Sequence, residues 1–293
     1  MPATRPHTAE APAQPTPAER LRATHDRLVE AYGPQHWWPA ETRFEVILGA
    51  YLTQNTAWTA VERSLANLRA AGALTLDGLR ALSPGDLESL IRPSGFYSRK
   101  APALKAFVAM LDEEFAGSLD RLAAAPTAAL RRRLLALPGV GPETADAILL
   151  YALNHPVPVA DEYLRRIARR HRLVAAAPGG KGYDSLADLT RQAFASDPAA
   201  SRARLFNEFH ALTVAVGKAH CGRTARCAEC PLAADLQLAN SAAKKRAGTR
   251  LPSEQLADGG RKPGPKPGKT SSPDNPEQIP CDRGPAKPNR PGG

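Results

Sequence analysis

Leu137-Pro-Gly-Val-Gly141-Pro-Glu-Thr-Ala-Asp146, with Asp161 twenty residues after Gly141, is the stretch on which the reading turns. Two glycines in a short turn between helical patterns let the backbone come close to something large and anionic. Pro142 at a helix start leaves the first-turn amides pointing outward at a phosphate. A helix-hairpin-helix has these physical features, and a tight helix-helix connection that binds nothing satisfies the same glycines. The context decides between the two.

Outward from this turn the periodicity is helical on both sides. The hairpin spans 127–153, with arms over Thr127–Ala136 and Glu143–Leu153. Upstream, helices are predicted at Ala18–Tyr32 (ended by Gly33-Pro34), Phe44–Thr53, Ala57–Ala71, Leu76–Leu82, Pro84–Ile91 and Ala101–Phe115. Ser83 is the predicted cap of the Pro84 helix. Downstream, helices are predicted at Glu162–Leu173, Ser185–Ala195 and Arg202–Gly217. No strand pattern and no internal repeat emerges, so the fold class is all-α.

The chain has 293 residues, of which 43% are hydrophobic, enough for one or two substantial cores. It contains no apolar run of membrane-spanning length. Its first residues lack the basic-then-apolar order of a signal peptide, which makes a cytoplasmic, nucleoid-associated location the expectation. Four cysteines do not imply a disulfide framework. The net charge of +10 is uneven: residues 238–293 carry 11 Lys or Arg against 5 Asp or Glu, and residues 18–237 carry 27 against 23. A basic tail either adds salt-sensitive attraction to phosphates or stays solvated without a partner. Segments 1–17 and 237–293 are expected to be disordered, because the Pro/Gly/Lys-rich run Arg261–Lys269 buries too little to offset its ordering entropy.

Four segments in this order resemble the endonuclease III-like, helix-hairpin-helix-GPD superfamily of DNA glycosylases. They are Leu52-Thr-Gln-Asn-Thr56, Gly95-Phe-Tyr-Ser-Arg-Lys-Ala101, Leu137–Asp146 and Pro158-Val-Ala-Asp161-Glu-Tyr-Leu-Arg-Arg166. The resemblance covers roughly residues 18–236. It implies a six-helix barrel over 42–157 and a second helical domain built from 18–41 and 158–236, with the active site between them. Leu137, Gly139, Val140 and Gly141 are then the DNA phosphate-binding turn.

Cleaving an N-glycosidic bond builds positive charge on the sugar, so a carboxylate beside the anomeric carbon is needed to stabilise it or to activate water. Asp161 matches the family's catalytic aspartate. It also suits the N-cap of the helix starting at Glu162, and one side chain can fill both roles. Bifunctional members carry, two residues after the hairpin glycines, a lysine that attacks the sugar as an amine. Glu143 holds that place here and cannot form an imine, which points to a monofunctional glycosylase.

Base flipping needs an aromatic surface for the base and a filler for the gap it leaves. Trp37, Trp38 and Trp58 are the candidate pocket, although tryptophans also serve as core. The His-Trp-Trp-Pro run and the aromatic at Trp58 resemble those of monofunctional members that remove alkylated purines, whose positive charge suits stacked indoles. Gln54 matches the family residue that enters the duplex and Phe96 the apolar wedge. Lys100 and Lys105 then lie where a phosphate contact is reasonable.

Cys221-x5-Cys227-x2-Cys230 resembles the start of the family's four-cysteine [4Fe-4S] loop, but the fourth ligand would fall at Leu236, which cannot bind iron. His220 and the distant Cys281 are poor substitutes. A loop without a cluster and an incomplete cluster both stand. The expected whole is a monomeric base-excision glycosylase acting on double-stranded DNA, with no membrane partner and alkylated purine as the favoured substrate. A bifunctional glycosylase and lyase, and a non-catalytic DNA-binding protein, are the alternatives.

Overall fold

Thr16 accepts the backbone N–H of Glu19 while Glu19 accepts from the Thr16 N–H, a capping box that starts α1 (Pro17–Tyr32) with Pro17 at its first position. The computed structural model describes residues 14–38, 40–174 and 182–237. The expected disordered segment 1–17 is therefore too long at its end, since Thr16 and Pro17 belong to a helix start; residues 1–13 lie outside the described residues. The tail expectation for 238–293, Cys281 included, also lies outside them, and 233–237 form a last helical turn.

Among the described residues no strand forms, and the one β contact is an isolated Cys221–Ala225 bridge. After α1 come α2 (Arg43–Leu52), α3 (Trp58–Ala70), α4 (Leu76–Ala81), α5 (Pro84–Ile91), α6 (Tyr97–Phe115), α7 (Leu119–Ala124) and α8 (Thr127–Leu135). The hairpin's second arm is α9 (Pro142–Ala147) running into a π-helical turn, Ile148–Ala152. The chain continues through α10 (Glu162–Arg170), α11 (Gly182–Ala193) and α12 (Arg202–Ala219). Side-chain caps fit the prediction at Ser83 and recur at Thr42, Thr75, Ser118 and Asp161.

Helix α2 is buried along nearly its whole length, as a central helix must be, and touches α3, α6, α9 and the π turn. Helix α1 packs on α11 and α12, and α10 packs on the same pair. The π turn reaches both groups because it touches α2 on one side and α12 on the other. One core joins Leu21, α2, α6 and Phe209, while Leu28, Ile167, Leu212, Val216, Cys221 and Leu232 form a smaller one.

Helix α6 begins one turn earlier than expected. Gly95 (φ 64°) and Phe96 (φ 47°) both adopt left-handed conformations that turn the chain sharply into Tyr97. Pro102, expected in the first turn, lies inside the helix. The extra turn brings Lys100 onto the inner stripe of Leu104, Phe107, Val108 and Leu111.

Candidate active site

The hairpin turn is fixed from within. Gly139 has φ +73°, a conformation that L side chains rarely adopt, and Leu137 and Val140 bury their side chains. Gly141 has an ordinary φ of −93°, and a Cβ there would meet nothing in the protein. The glycine at 141 thus leaves its outer face open, as a backbone approached by a phosphate requires. Gln54 ties the turn to the end of α2, its Nε2 donating to the Gly139 carbonyl and to Thr144 Oγ1, both at 2.9 Å. Asp146, fully buried, accepts from Arg131 through Nε (2.6 Å) and Nη2 (3.0 Å) and from the Tyr183 hydroxyl (2.9 Å), so it braces the two arms and α11.

Asp161 is the N-cap of α10: Oδ1 accepts the Leu164 N–H at 2.8 Å. Its other oxygen, Oδ2, stands 3.6 Å from His210 Nε2, and the residue is 7% exposed. His210 meets the Tyr151 hydroxyl through Nδ1 at 2.5 Å. Burial, then the charges of Asp161 and Glu208, hold the Tyr151 phenol well above its ordinary pKa, so it stays protonated and donates to Nδ1. Tyr151 owes its place to the π turn, a distortion that recurs at functional sites. Neither Tyr151 nor His210 was singled out from sequence; the one local signal was a histidine on the apolar stripe that also holds Phe206, Phe209 and Thr213.

The predicted tryptophans converge on this pair. Trp37 stacks near-parallel with Trp38 (centroids 5.8 Å apart, 20°) and with His210 (5.7 Å, 12°). Trp58 meets Trp38 edge-on at 5.4 Å, and Tyr151 lies 5.1 Å from Trp38. Trp38 is the inner wall. It packs on Gly49 of α2, where a Cβ would come within 3.3 Å of the indole, and its Nε1 is buried without a hydrogen-bond partner. Lys218 places its ammonium 5.9 Å from the Trp37 ring. Glu143 sits on the exposed first turn of α9. Loss of hydration, then the charges of Asp161 and Glu162, push its carboxyl above the ordinary value against the opposing pull of His210.

Phe96 is 57% exposed, the one large hydrophobic side chain so exposed among the described residues, and Gln54 lies in the neighbouring loop. Lys100 overturns its expectation as a phosphate contact. It is 4% exposed, and its ammonium donates to the Leu52 carbonyl, Thr56 Oγ1 and the Ser94 carbonyl, each at 2.8 Å. All three protons are used inside the protein. Lys105 is spent likewise on the carbonyls of Leu79, Arg80 and Leu82 at the end of α4.

The cysteine loop does not fit a four-thiolate cluster. Cys221, Cys227 and Cys230 are free thiols, Leu236 holds the fourth place, and among the described residues no group of three or more His, Cys, Asp or Glu is arranged to hold a metal. Burial, with the neighbouring Cys227 and Cys221, pushes the Cys230 thiol up. Protein contacts hold the loop. Arg166 donates to the Cys221 carbonyl (3.0 Å), and Arg170 to the Cys221 sulfur (2.9 Å) and the carbonyls of Gly222 and Arg223. Asp235 beyond the loop accepts from Arg20 and pairs with His171.

A glycine-turned hairpin, a capping carboxylate and an aromatic cluster are brought together in one all-α body. Residues 48–190 match the family described as HhH-GPD superfamily base excision DNA repair protein. A Methanocaldococcus jannaschii protein assigned as a DNA repair glycosylase is 38% identical over 216 residues, covering 73% of this chain and 94% of that one. Endonuclease III homolog 2, chloroplastic, of Arabidopsis thaliana is 31% identical over 53% of this chain, which spans only 38% of that relative. The crystal structure of H. pylori 3-methyladenine DNA glycosylase bound to 1,N6-ethenoadenine superposes with a TM-score of 0.58 at 30% identity, covering 70% of this chain and 98% of that one. The chain belongs to the HhH-GPD superfamily of base excision DNA repair proteins. It is a DNA N-glycosylase, with the all-α fold of that family, and among the described residues no helix is long and apolar enough to cross a membrane.

Proposed function

We propose that the enzyme is a monofunctional glycosylase that flips an alkylated purine from duplex DNA and hydrolyses its N-glycosidic bond through Asp161. The observation that carries this reading is Asp161 beside an aromatic cluster of Trp37, Trp38, Trp58, Tyr151 and His210, with Glu143 at the lyase-lysine position. A cationic alkylpurine gains from stacked indoles and leaves readily, so it needs little beyond one carboxylate to stabilise the developing sugar cation. Gln54 and Phe96 fill and wedge the vacated duplex, and the Leu137–Gly141 turn holds the phosphates. The likeness to a 3-methyladenine glycosylase agrees with this substrate class. The barrel of 42–157, the second domain of 18–41 and 158–236, a monomeric state and a nucleoid location belong to the same proposal.

The test is a panel of duplexes, each with one lesion, incubated with the enzyme and analysed with and without alkali. The reading requires excision of an alkylated purine that yields strand breaks only after alkali. Breaks without alkali, or preference for an oxidised pyrimidine, would overturn it. One observation favours a bifunctional enzyme instead: the Lys218 amine beside Trp37. Borohydride trapping on abasic-site DNA that disappears in Lys218→Ala would establish that alternative.

A further inference from the structure

Lys100 lies at the junction of the two loops that carry Gln54 and Phe96. Its ammonium accepts no help from a carboxylate, since no ion pair to it exists among the described residues. It is solvated instead by three oxygens, the Leu52 carbonyl at the end of α2, Thr56 Oγ1, and the Ser94 carbonyl in the 3-10 turn before Phe96. Thr56 Oγ1 is shared, since it also bonds the Ser94 carbonyl (2.6 Å) and the Gln54 carbonyl (3.0 Å). Leu52 and Thr56 bracket Gln54, and Ser94 and Lys100 bracket Phe96. The two loops are thus joined by the Thr56–Ser94 bond and by the Lys100 ammonium that ties Leu52, Thr56 and Ser94 together. Both loops are conformationally tense: Asn55 (φ 51°) and Phe96 (φ 47°) hold left-handed backbones without being glycine. Such geometries persist only where surrounding contacts over-determine them.

We propose that Lys100 is a positioning residue that clamps the Gln54 and Phe96 loops into one rigid tool for entering duplex DNA. A charged clamp is stronger than a neutral one because each carbonyl faces a full positive charge. The ammonium also satisfies carbonyls that the ends of α2 and the 3-10 turn leave unpaired. This inference rests on the insertion roles assigned to Gln54 and Phe96 above. Burial alone pulls the Lys100 amine down to about 8, so the clamp discharges within an accessible pH range. The groups around it are the Thr56 and Ser94 oxygens, the Leu52 carbonyl and the Phe96 ring 6.0 Å away; Arg92, the nearest guanidinium on the 3-10 turn, faces Tyr97.

The experiment uses a duplex with a tetrahydrofuran abasic analogue opposite 2-aminopurine, whose fluorescence rises when the base is unstacked by insertion. Wild type should give the full rise, and Gln54→Ala and Phe96→Ala should lose most of it. Lys100→Met should reduce the rise at least fivefold at saturating enzyme, while Lys100→Arg, which keeps a charge, recovers at least half. In wild type the rise should fall as pH passes about 8, and in Lys100→Arg it should not. If Lys100→Met fails to fold, the wild-type and Lys100→Arg pH series decide. If Gln54→Ala and Phe96→Ala lose the signal but neither Lys100→Met nor the pH series does, the clamp is refuted and the insertion reading stands. If the Gln54 and Phe96 variants keep the signal, the insertion reading itself fails.

Discussion

Asp161 turns one oxygen to the start of α10 and the other toward His210, with Leu164 N at 2.8 Å from Oδ1 and His210 Nε2 at 3.6 Å from Oδ2. The cap fixes the plane of the carboxylate. The imidazole, held by Tyr151 and stacked on Trp37, stands beside the other oxygen. The capping oxygen and the oxygen beside His210 are therefore different atoms of one side chain.

His210→Phe keeps the stack on Trp37 and removes the nitrogen facing Asp161. The expected outcome is a fall in kcat of about 10- to 100-fold with KM changed much less, because the loss is of orientation in the transition state. Single-turnover and steady-state rates on one excised duplex check it. A purely structural histidine would leave the rate near wild type once stability is matched.

Glu143 carries a strained charge. Its folded pKa lies above the unfolded value of about 4.3, so its contribution to stability is full below that value and is lost as pH rises through the folded pKa. Glu143→Gln removes that loss; since Glu143 is exposed and its charge is screened by water, the variant's Tm should exceed wild type only slightly, by a margin that grows as pH rises above about 4. Thermal melts across this range test the sign. Glu143→Lys restores an amine beside Asp161, and borohydride trapping should then appear where wild type shows none.

Asp146 is the hairpin's brace. Asp146→Ala strands the buried ends of Arg131 and Tyr183 and should lower stability by about 3 kcal/mol. The account also expects weaker binding to undamaged duplex, since the Gly139–Gly141 turn loses its second arm. Denaturant melts and duplex titrations measure the two effects.

The Arg20–Asp235–His171 cluster takes over what a metal site would do for the chain end. Burial opposes the Asp235 carboxylate, but His171 and Arg20 outweigh it and lower its pKa. Its stabilisation is therefore present above about pH 4, the unfolded value, and is lost as pH falls further. The Tm gap between wild type and Asp235→Asn should close in acid. Purified protein should hold less than about one iron per chain and lack absorption near about 400 nm, and chelators should leave its Tm unchanged.

Much of this was legible from the residues. Apolar spacing located most helices to within a residue or two, because each buries a stripe that repeats at 3.6 residues. The short α7 escaped notice because six residues contain too little periodicity. Lys100 was misplaced for a physical reason: lysines are almost never buried, and α6 was expected to start at Ala101, which left Lys100 outside the stripe it completes with Leu104. The pairing of His210 with Asp161 and Tyr151 joins elements about 50 and 60 residues apart, and no local pattern encodes it.

Single-turnover excision by Asp161→Asn, measured beside its duplex affinity, tests the central claim most directly. The account predicts a loss of about 10³-fold or more in the rate with affinity held within about threefold. A variant that still excises within about tenfold of wild type, its fold intact, would contradict it.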